Sequence, residues 1–291
     1  MRATPATLPI AMSDIPATAV VAYLGPEGTY THAALRKYFG DQQPGIPLDS
    51  IPAVFAAVAS GQCDFGVVPV ENSSEGSITQ TLDCFGEHDL NIFGEVSLRI
   101  EHCLLAKSGT TSSDIQRIFS HQQSLGQCRQ WLKKHYPDVE QVTSLSNAEA
   151  ARKVALESGA GAIAGHTAAE IYGLEILAEN IEDVHDNTTR FAVISRQANP
   201  ARFAREKSTL IISTENKPGA LFNALEPFKN HEVNLIRLES RPSRKQAWSY
   251  SFYVDIDGHC LQDNIRAALN ELESHAMEYR VLGSYPVAEN D

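Results

Sequence analysis

Positive charge and long apolar segments are both scarce in this chain. Its 291 residues carry 24 Lys and Arg against 36 Asp and Glu, which gives a formal net charge of −12. A nucleic-acid partner is therefore disfavoured, because binding a phosphate backbone requires a basic surface. No apolar run approaches the roughly 20 residues that a membrane-spanning helix needs. The composition indicates a soluble globular protein of about two domains, with neither nucleic acid nor membrane as partner.

Cysteine is also sparse, and its spacing is not that of a disulfide framework. The five cysteines form no Cys-x-x-Cys pair and are odd in number, so we expect reduced thiols in a cytoplasmic protein. Residues 1–19 are rich in Ala, Thr and Pro and lack the apolar core of a signal peptide, which predicts a flexible extension. Met1 and Met12 are both candidates for the native start.

Several catalytic motifs are missing as well. The sequence contains no His-Glu-x-x-His metal motif, no Gly-x-Ser-x-Gly elbow and no Walker loop. The glycines of residues 159–165 lie before and within a predicted strand, whereas a dinucleotide fingerprint places them after it. We therefore predict a site that uses no metal and no cofactor.

What the chain does contain is a repeated strand, turn and helix pattern typical of an α/β fold. Residues 20–24 predict a strand, 25–28 a glycine turn and 29–39 a helix. The pattern recurs as a strand at 65–70, a turn at 71–77 and a helix at 78–85. It recurs again after the strand at 115–120, and Asn147 is expected to cap a later helix.

The last third of the chain has a different pattern. Its predicted order βαββαβ is that of a ferredoxin-like domain of about eighty residues. In its fourth element, Trp248, Tyr250, Phe252, Val254 and Ile256 alternate with polar residues, as in a half-buried strand. Residues 198–207 form the predicted linker before this domain.

Polar residues begin three of the predicted helices. Thr29, Ser73 and Ser120 each stand where hydroxyls, amides and backbone N–H groups meet the positive end of a helix dipole. Thr189 and Arg190 precede an apolar strand, and an Arg fork binds carboxylates while a Thr donates to a leaving oxygen. Strand carboxyl ends gather at one sheet edge, so together these residues suggest a carboxylate cradle. Each stretch by itself is more often ordinary helix capping than a binding site.

Four of these stretches resemble a known family. Residues 23–33, 68–77, 120–128 and 189–191 are similar, in order and spacing, to the signature stretches of prephenate dehydratase. The last part, through 219–222 and 239–242, resembles the regulatory ACT domain of that family. The likeness covers about residues 20–286 and is to the monofunctional bacterial form. Gln122 departs from it, because the family often has proline after the histidine.

The resemblance implies an architecture. We expect a two-lobed catalytic region similar to a type 2 periplasmic binding protein, followed by a ferredoxin-like ACT domain. Lobe 1 would comprise residues 20–96 and 184–197, lobe 2 residues 97–183, the linker 198–207 and the ACT domain 208–286. The two crossings, near Ser97 and Asp183, would form a hinge around a cleft.

The resemblance also implies the decarboxylating dehydration of prephenate to phenylpyruvate in L-phenylalanine biosynthesis, a carbon–oxygen lyase reaction without cofactor. Thr189 would stand beside the leaving hydroxyl, with Arg190 as anion clamp and Phe191 as a wall. Because a threonine is a weak acid, the proton would come from Glu71 or His121. The catalytic residues implied are Thr189, Glu71, Asn72 and Gln127, and the substrate-binding residues are Thr29, Ser73, Ser120, His121, Arg190 and Phe191.

For the ACT domain, the resemblance implies L-phenylalanine as allosteric inhibitor, bound where two copies meet in a homodimer or homotetramer. The residues implied are Gly219, Ala220, Leu221, Phe222, Glu239, Ser240, Arg241 and Pro242. Two alternatives stay open. One is an arogenate dehydratase, and the other is an amino-acid-sensing or solute-binding protein without catalysis.

Overall fold

The computed structural model describes residues 15–16, 18–242 and 250–288. Within these ranges the chain builds three sheets and nine α-helices. Most of the predicted extension 1–19 lies outside the described residues, and so does Trp248. No helix of the described part is both long enough and apolar enough to cross a membrane.

The first lobe is a mixed sheet with three helices. Its elements are β1 (Val21–Leu24), α1 (Tyr30–Phe39), β2 (Gly45–Leu48), α2 (Ile51–Ala59), β3 (Phe65–Asn72), β4 (Gly76–Ser77), α3 (Thr79–Glu87), β5 (Asn91–Arg99) and β11 (Thr188–Ser195). The strand order is β2-β1-β3-β11-β5, and β4 pairs with β3. The first three strands are parallel, whereas β11 runs antiparallel between β3 and β5.

The predicted turn at residues 71–77 is partly wrong. Glu71 and Asn72 continue β3, and β4 returns beside them as the second arm of a hairpin. Gly76 has a φ of 82°, which a residue with a side chain rarely adopts. This extension matters because it carries Asn72 to the edge where β11 begins.

The second lobe is a five-stranded sheet with four helices. Its elements are β6 (Cys103–Ala106), β7 (Arg117–His121), α4 (Gln122–Gln127), α5 (Arg129–His135), β8 (Glu140–Ser144), α6 (Asn147–Val154), β9 (Ala160–Ala164), α7 (His166–Tyr172) and β10 (Glu175–Ala178). The strand order is β10-β6-β9-β7-β8. Ser146, not Asn147, caps α6, because its hydroxyl accepts from the Glu149 amide at 3.0 Å.

Two crossovers connect the lobes side by side. The first comprises residues 100–102 and the second residues 179–187. The Ile100 amide donates to the Asn187 carbonyl at 2.8 Å, and the Ile181 amide donates to the His102 carbonyl at 3.0 Å. The chain thus leaves the first sheet after Arg99. The exit was predicted near Ser97, which lies inside β5 two residues before its end and pairs with Arg190.

The third sheet confirms the ferredoxin-like order βαββαβ. Its elements are β12 (Glu206–Thr214), α8 (Ala220–Asn230), β13 (Leu235–Pro242), β14 (Tyr250–Asp257), α9 (Asp263–Leu272) and β15 (Glu278–Pro286). The antiparallel strand order is β13-β14-β12-β15. β12 begins at Glu206, two residues inside the predicted linker. The helices cover one face of the sheet, where Phe228 of α8 and Leu210 of β12 belong to the same apolar cluster.

The opposite face of this sheet packs on the first lobe. Ile211, Tyr253 and Leu282 share an apolar cluster with Leu82 and Phe85 of α3. The approach is close at Gly283, where an added Cβ would collide with the carbonyl oxygen of Ile92 in β5. A shared core of this kind makes the third sheet part of one packed body with the first lobe.

Candidate functional site

A cleft of about 390 Å³ lies between the two lobes. Residues from both lobes and both crossovers line it. They come from the start of α1, the end of β3, the start of β11, helix α4 and the start of α6. Six of the ten residues proposed for catalysis or substrate binding are among them, namely Thr29, Asn72, His121, Gln127, Thr189 and Phe191.

Thr189 and Asn72 form the centre of a buried hydrogen-bond network. Asn72 Nδ2 donates to Thr189 Oγ1 at 2.8 Å and to Asn187 Oδ1 at 2.7 Å. The Ser74 amide donates to Asn72 Oδ1 at 3.0 Å, which fixes the orientation of the side-chain amide. Since the oxygen of Thr189 already accepts from Asn72, its hydroxyl proton is available to an acceptor in the cleft.

His102 and Tyr30 also line the cleft and were not among the predicted site residues. His102 Nδ1 lies 2.9 Å from the Tyr30 hydroxyl, and His102 Nε2 lies 2.8 Å from Gln127 Oε1. The sequence does hold one signal, because His102 directly precedes the apolar strand β6 at the point where the chain changes lobe. Without a known register, that position could not be assigned to the cleft.

The cleft offers neutral hydrogen-bond donors rather than fixed positive charge. The first turns of α1 and α6 border it through Thr29, Tyr30, Ser146 and Asn147. Such turns expose backbone N–H groups that lack intrahelical partners, at the positive end of the helix dipole. Among the described residues that line the cleft there is neither Arg nor Lys. An anionic ligand would therefore be held by amides and hydroxyls, away from the two carboxylates of the lining, Asp49 and Glu75.

Arg190 and Glu71 lie on the far side of the sheet, which corrects two expectations. Side chains alternate along β11, so Thr189 and Phe191 face the cleft while Arg190 faces the third sheet. Arg190 forms ion pairs with Glu71, with Glu95 at 3.1 Å and with Asp255 at 3.4 Å. Burial alone would lower the pKa of Arg190, but these three carboxylates outweigh burial and raise it. Neither residue is placed to clamp or protonate a ligand in the cleft.

Ser73 and Ser120 likewise support the site without lining it. Ser120 is fully buried, and its hydroxyl contacts the Ile163 carbonyl at 2.8 Å and Asn147 Oδ1 at 2.9 Å. Ser73 Oγ accepts from the Thr188 amide at 2.9 Å, directly before Thr189. Both serines therefore fix the backbone next to the cleft, contrary to the expectation that they bind substrate.

The eight residues proposed for phenylalanine binding lie in two places, at the start of α8 and on β13. Gly219, with a φ of 79°, precedes α8, and Phe222 is largely exposed there. On β13, Glu239 accepts from Ser77 Oγ at 3.0 Å and Arg241 pairs with Asp83 at 3.0 Å, so both face the first lobe. A separate cavity of about 370 Å³ lies between α3 and the third sheet, next to Arg241.

Comparisons with known proteins identify the two parts of the chain. Residues 21–199 match the family model described as prephenate dehydratase, and residues 208–274 match the ACT domain model. A bifunctional chorismate mutase/prephenate dehydratase of Pseudomonas aeruginosa is 50% identical over 92% of this chain and 73% of its own. An arogenate dehydratase/prephenate dehydratase of Arabidopsis thaliana is 39% identical over 92% of this chain and 72% of its own.

A solved structure shows the same architecture. The prephenate dehydratase of Arthrobacter aurescens, in complex with L-Phe, has a TM-score of 0.85 and 36% sequence identity. The match covers 92% of this chain and 90% of that one. Two mixed α/β lobes followed by an antiparallel ACT sheet are thus the arrangement of both proteins.

Proposed function

The chain belongs to the prephenate dehydratase family of carbon–oxygen lyases and carries an ACT regulatory domain, and we propose that the cleft between its lobes is where prephenate reacts. The observation that carries this proposal is the network of Thr189, Asn72 and Asn187. It presents one hydroxyl proton to a cleft whose other donors suit an acidic ligand.

The reaction defines what the site has to supply. Prephenate carries two carboxylates and a ring hydroxyl, and the loss of CO2 and hydroxide together makes its ring aromatic. The hydroxide takes up a proton and leaves as water. The protein must therefore seat both carboxylates, polarise the departing oxygen and give the carboxylate that is lost a less watery environment.

We assign carboxylate binding to the first turns of α1 and α6, with support from the neighbouring hydroxyls and amides. Oriented N–H groups stabilise an anion without a fixed cation. Apolar residues of the lining, among them Pro69, Ile78, Ile100 and Phe191, would shield the carboxylate that is lost. A less hydrated carboxylate releases CO2 more readily, because its charge is less stabilised in the ground state.

Thr189 is assigned to the departing hydroxyl. Its oxygen accepts from Asn72, so its proton can be donated to the leaving group. A threonine is too weak an acid to give up this proton unaided, so a better acid must complete the step. Of the two candidates, Glu71 is held by Arg190 on the far face, whereas His121 lines the cleft. This favours His121 as the proton source.

Regulation is assigned to an interdomain ion cluster, which comprises Glu71, Glu95, Arg190, Lys207, Arg237 and Asp255. Lys207 Nζ lies 2.5 Å from Glu95 and Arg237 Nε lies 3.4 Å from Glu71. The cluster holds three cations and three anions, and it joins the ACT sheet to β3, β5 and β11. L-phenylalanine bound to the ACT domain would shift this cluster and with it the strands that carry Asn72 and Thr189. Coupling of this kind is typically about 1 to 3 kcal/mol.

Self-association is assigned to β13. β13 lies at one edge of the third sheet, with β14 as its partner there, and Ile236, Leu238 and Tyr250 expose apolar surface beside that edge. Exposed edges and apolar patches of this kind pair with other chains. We propose that two copies pair here as a homodimer, or as the dimer within a homotetramer.

One assay tests the proposed function and separates it from its alternatives. Phenylpyruvate formation from prephenate is followed with and without L-phenylalanine, and kcat/KM is compared with that for arogenate. Turnover of prephenate that L-phenylalanine suppresses supports the proposal. A higher kcat/KM for arogenate would make the chain an arogenate dehydratase. Ligand binding without turnover of either compound would leave an amino-acid sensor.

A further inference from the structure

The side chain of Asn187 is oriented by a series of hydrogen bonds that begins at a backbone amide. The Ser74 N–H can only donate, so the Asn72 atom that it contacts at 3.0 Å is the oxygen Oδ1. Asn72 Nδ2 therefore faces Thr189 Oγ1 at 2.8 Å and the side chain of Asn187 at 2.7 Å. Because an amide nitrogen cannot accept, the Asn187 atom that meets it is the oxygen Oδ1.

The NH2 group of Asn187 is left free by this arrangement. Asn187 is 4% exposed and lines the cleft, and its Nδ2 forms no hydrogen bond with the residues that the structure describes. The nitrogen is not sealed inside the protein, since within the described ranges the Tyr23 hydroxyl is the one fully buried side-chain polar atom without a partner. Buried polar groups normally have partners, so these two N–H donors point to a ligand in the cleft.

The backbone around Asn187 is fixed from two sides. Its carbonyl, in the second crossover, accepts from the Ile100 amide of the first crossover at 2.8 Å. The amide of the next residue, Thr188, donates to Ser73 Oγ at 2.9 Å. With Asn72 holding the side chain as well, the NH2 group is oriented before any ligand arrives. Donors that need no reorganisation are the kind that stabilise charge in a transition state.

We propose that Asn187 is a catalytic residue, whose NH2 group donates a hydrogen bond to the departing oxygen of prephenate beside Thr189. The same nitrogen of Asn72 holds both side chains, so the hydroxyl of Thr189 and the amide of Asn187 are neighbours on one wall of the cleft. This inference rests on the proposed function, since it adds a second donor at the oxygen to which Thr189 is assigned.

The chemical step shows what a second donor contributes. The C–O bond of the ring breaks with its electron pair on the departing oxygen, and the bond to the lost carboxylate supplies the electrons that make the ring aromatic. The oxygen takes up one proton and leaves as water. Asn187 keeps its own protons and stabilises the negative charge that grows on this oxygen. Such help matters beside Thr189, because a threonine is a weak acid.

Two substitutions separate this role from simple support of Asn72. Asn187→Asp keeps an acceptor for Asn72 but replaces the NH2 group with an oxygen, whereas Asn187→Leu has a similar size and loses both. We expect each to lower kcat for prephenate by about 10² or more, as for the loss of one donor to a developing oxyanion. In Asn187→Leu, which adds no charge, KM should stay within about threefold of the wild type.

The control for the added charge is Asn264→Asp, because Asn264 is exposed on α9 and is not part of the cleft lining. It should turn over prephenate like the wild type, and a loss equal to that of Asn187→Asp would overturn the proposal. Near-normal kcat in Asn187→Asp would also overturn it, since only the acceptor would then matter. A KM raised tenfold with unchanged kcat in Asn187→Leu would overturn it as well, because the NH2 group would then bind a carboxylate.

A measurement on the wild-type protein depends on no variant. A prephenate analogue with a saturated ring keeps both carboxylates and the hydroxyl but cannot become aromatic. In crystals of the full chain with this analogue, we expect its hydroxyl oxygen within hydrogen-bond distance of both Thr189 Oγ1 and Asn187 Nδ2. An oxygen that contacts Thr189 but not Asn187 would overturn this inference and leave the proposed function standing. An oxygen that contacts neither residue would overturn both.

Discussion

Thr189 and Arg190 are consecutive in β11, yet their side chains serve opposite faces of the first sheet. Thr189 Oγ1 lies 2.8 Å from Asn72 Nδ2 in the cleft, while Arg190 Nη1 lies 3.4 Å from Asp255 of the ACT domain. Their pairing partners on β3 face the same two sides: Asn72, opposite Thr189, faces the cleft, and Glu71, opposite Arg190, faces the ACT domain. The same two strands thus carry the proposed chemistry on one face and the contact with the regulatory domain on the other.

Thr189→Val is expected to lower kcat for prephenate by about 10² or more with little change in KM. Valine keeps the shape but removes a donor used mainly as the hydroxyl departs, and such interactions affect kcat rather than binding. Thr188→Val is the matched control, since Thr188 is the preceding residue of β11 and is not part of the cleft lining. Steady-state kinetics of both variants provide the measurement. Near-normal turnover of Thr189→Val would remove Thr189 from the chemistry.

Asn72→Asp tests the direction of the hydrogen bond to Thr189. The two side chains have nearly the same shape, but a carboxylate can only accept. Thr189 would then donate its proton to residue 72 instead of the substrate, so we expect kcat to fall by about 10². The melting temperature should fall as well, because the new carboxylate is buried and faces Asn187 Oδ1, which loses its donor. Kinetics and thermal unfolding are measured on the same preparation. An unchanged kcat would show that Thr189 does not need Asn72 as its donor.

The sequence was informative about which stretches matter but not about which way their side chains point. The motifs around Thr29, Asn72, Gln127 and Thr189 all reach the cleft. Arg190, Glu71, Ser73 and Ser120 belong to the same motifs and do not. In a strand, a shift of one residue reverses the face, and the pairing that fixes it is absent from the linear sequence.

The sequence did not predict strands β2 and β10, and the reason is physical. β2 contains Pro47, and β10 is only four residues long. Both lie at the edges of their sheets, where proline and short strands are tolerated. Their conformation is determined by pairing with β1 and β6, not by a local apolar pattern. Sequence periodicity therefore misses short strands that lack a local apolar pattern.

Arg190→Lys is expected to weaken inhibition by L-phenylalanine while leaving KM for prephenate nearly unchanged. A lysine keeps the charge but cannot contact Glu71, Glu95 and Asp255 together, since it lacks the planar fork. Loss of the coupling would raise the L-phenylalanine concentration for half inhibition by about fivefold or more. Inhibition curves at fixed prephenate provide the measurement. A raised KM with unaltered inhibition would instead return Arg190 to substrate binding.

The stability of the fold is expected to fall at mildly acidic pH, in part through His102. Burial lowers the pKa of His102 in the folded state, so the unfolded chain binds the proton more readily. The stability that comes from the neutral His102 ring is fully present above the unfolded pKa of about 6.5. It is lost as pH falls from there towards the folded pKa. Urea unfolding at pH 7.5 and 5.5 should show that the free energy of unfolding falls less in His102→Gln than in the wild type. His135→Gln, at an exposed position, is the control and should lose as much as the wild type.

Leu238→Glu is expected to dissociate the proposed dimer and to abolish inhibition by L-phenylalanine, while turnover of prephenate persists. Leu238 is 44% exposed beside the edge of β13 and is not part of the cleft lining. A symmetric contact brings each substituted residue towards its own copy, so one change introduces two like charges into one interface. Leu156→Glu is the control, because Leu156 is 86% exposed on the second lobe and equally apolar. Light scattering after gel filtration gives the mass of each variant. A Leu238→Glu protein that keeps its wild-type mass would exclude β13 as the contact, and one that becomes monomeric but stays inhibited would separate inhibition from assembly.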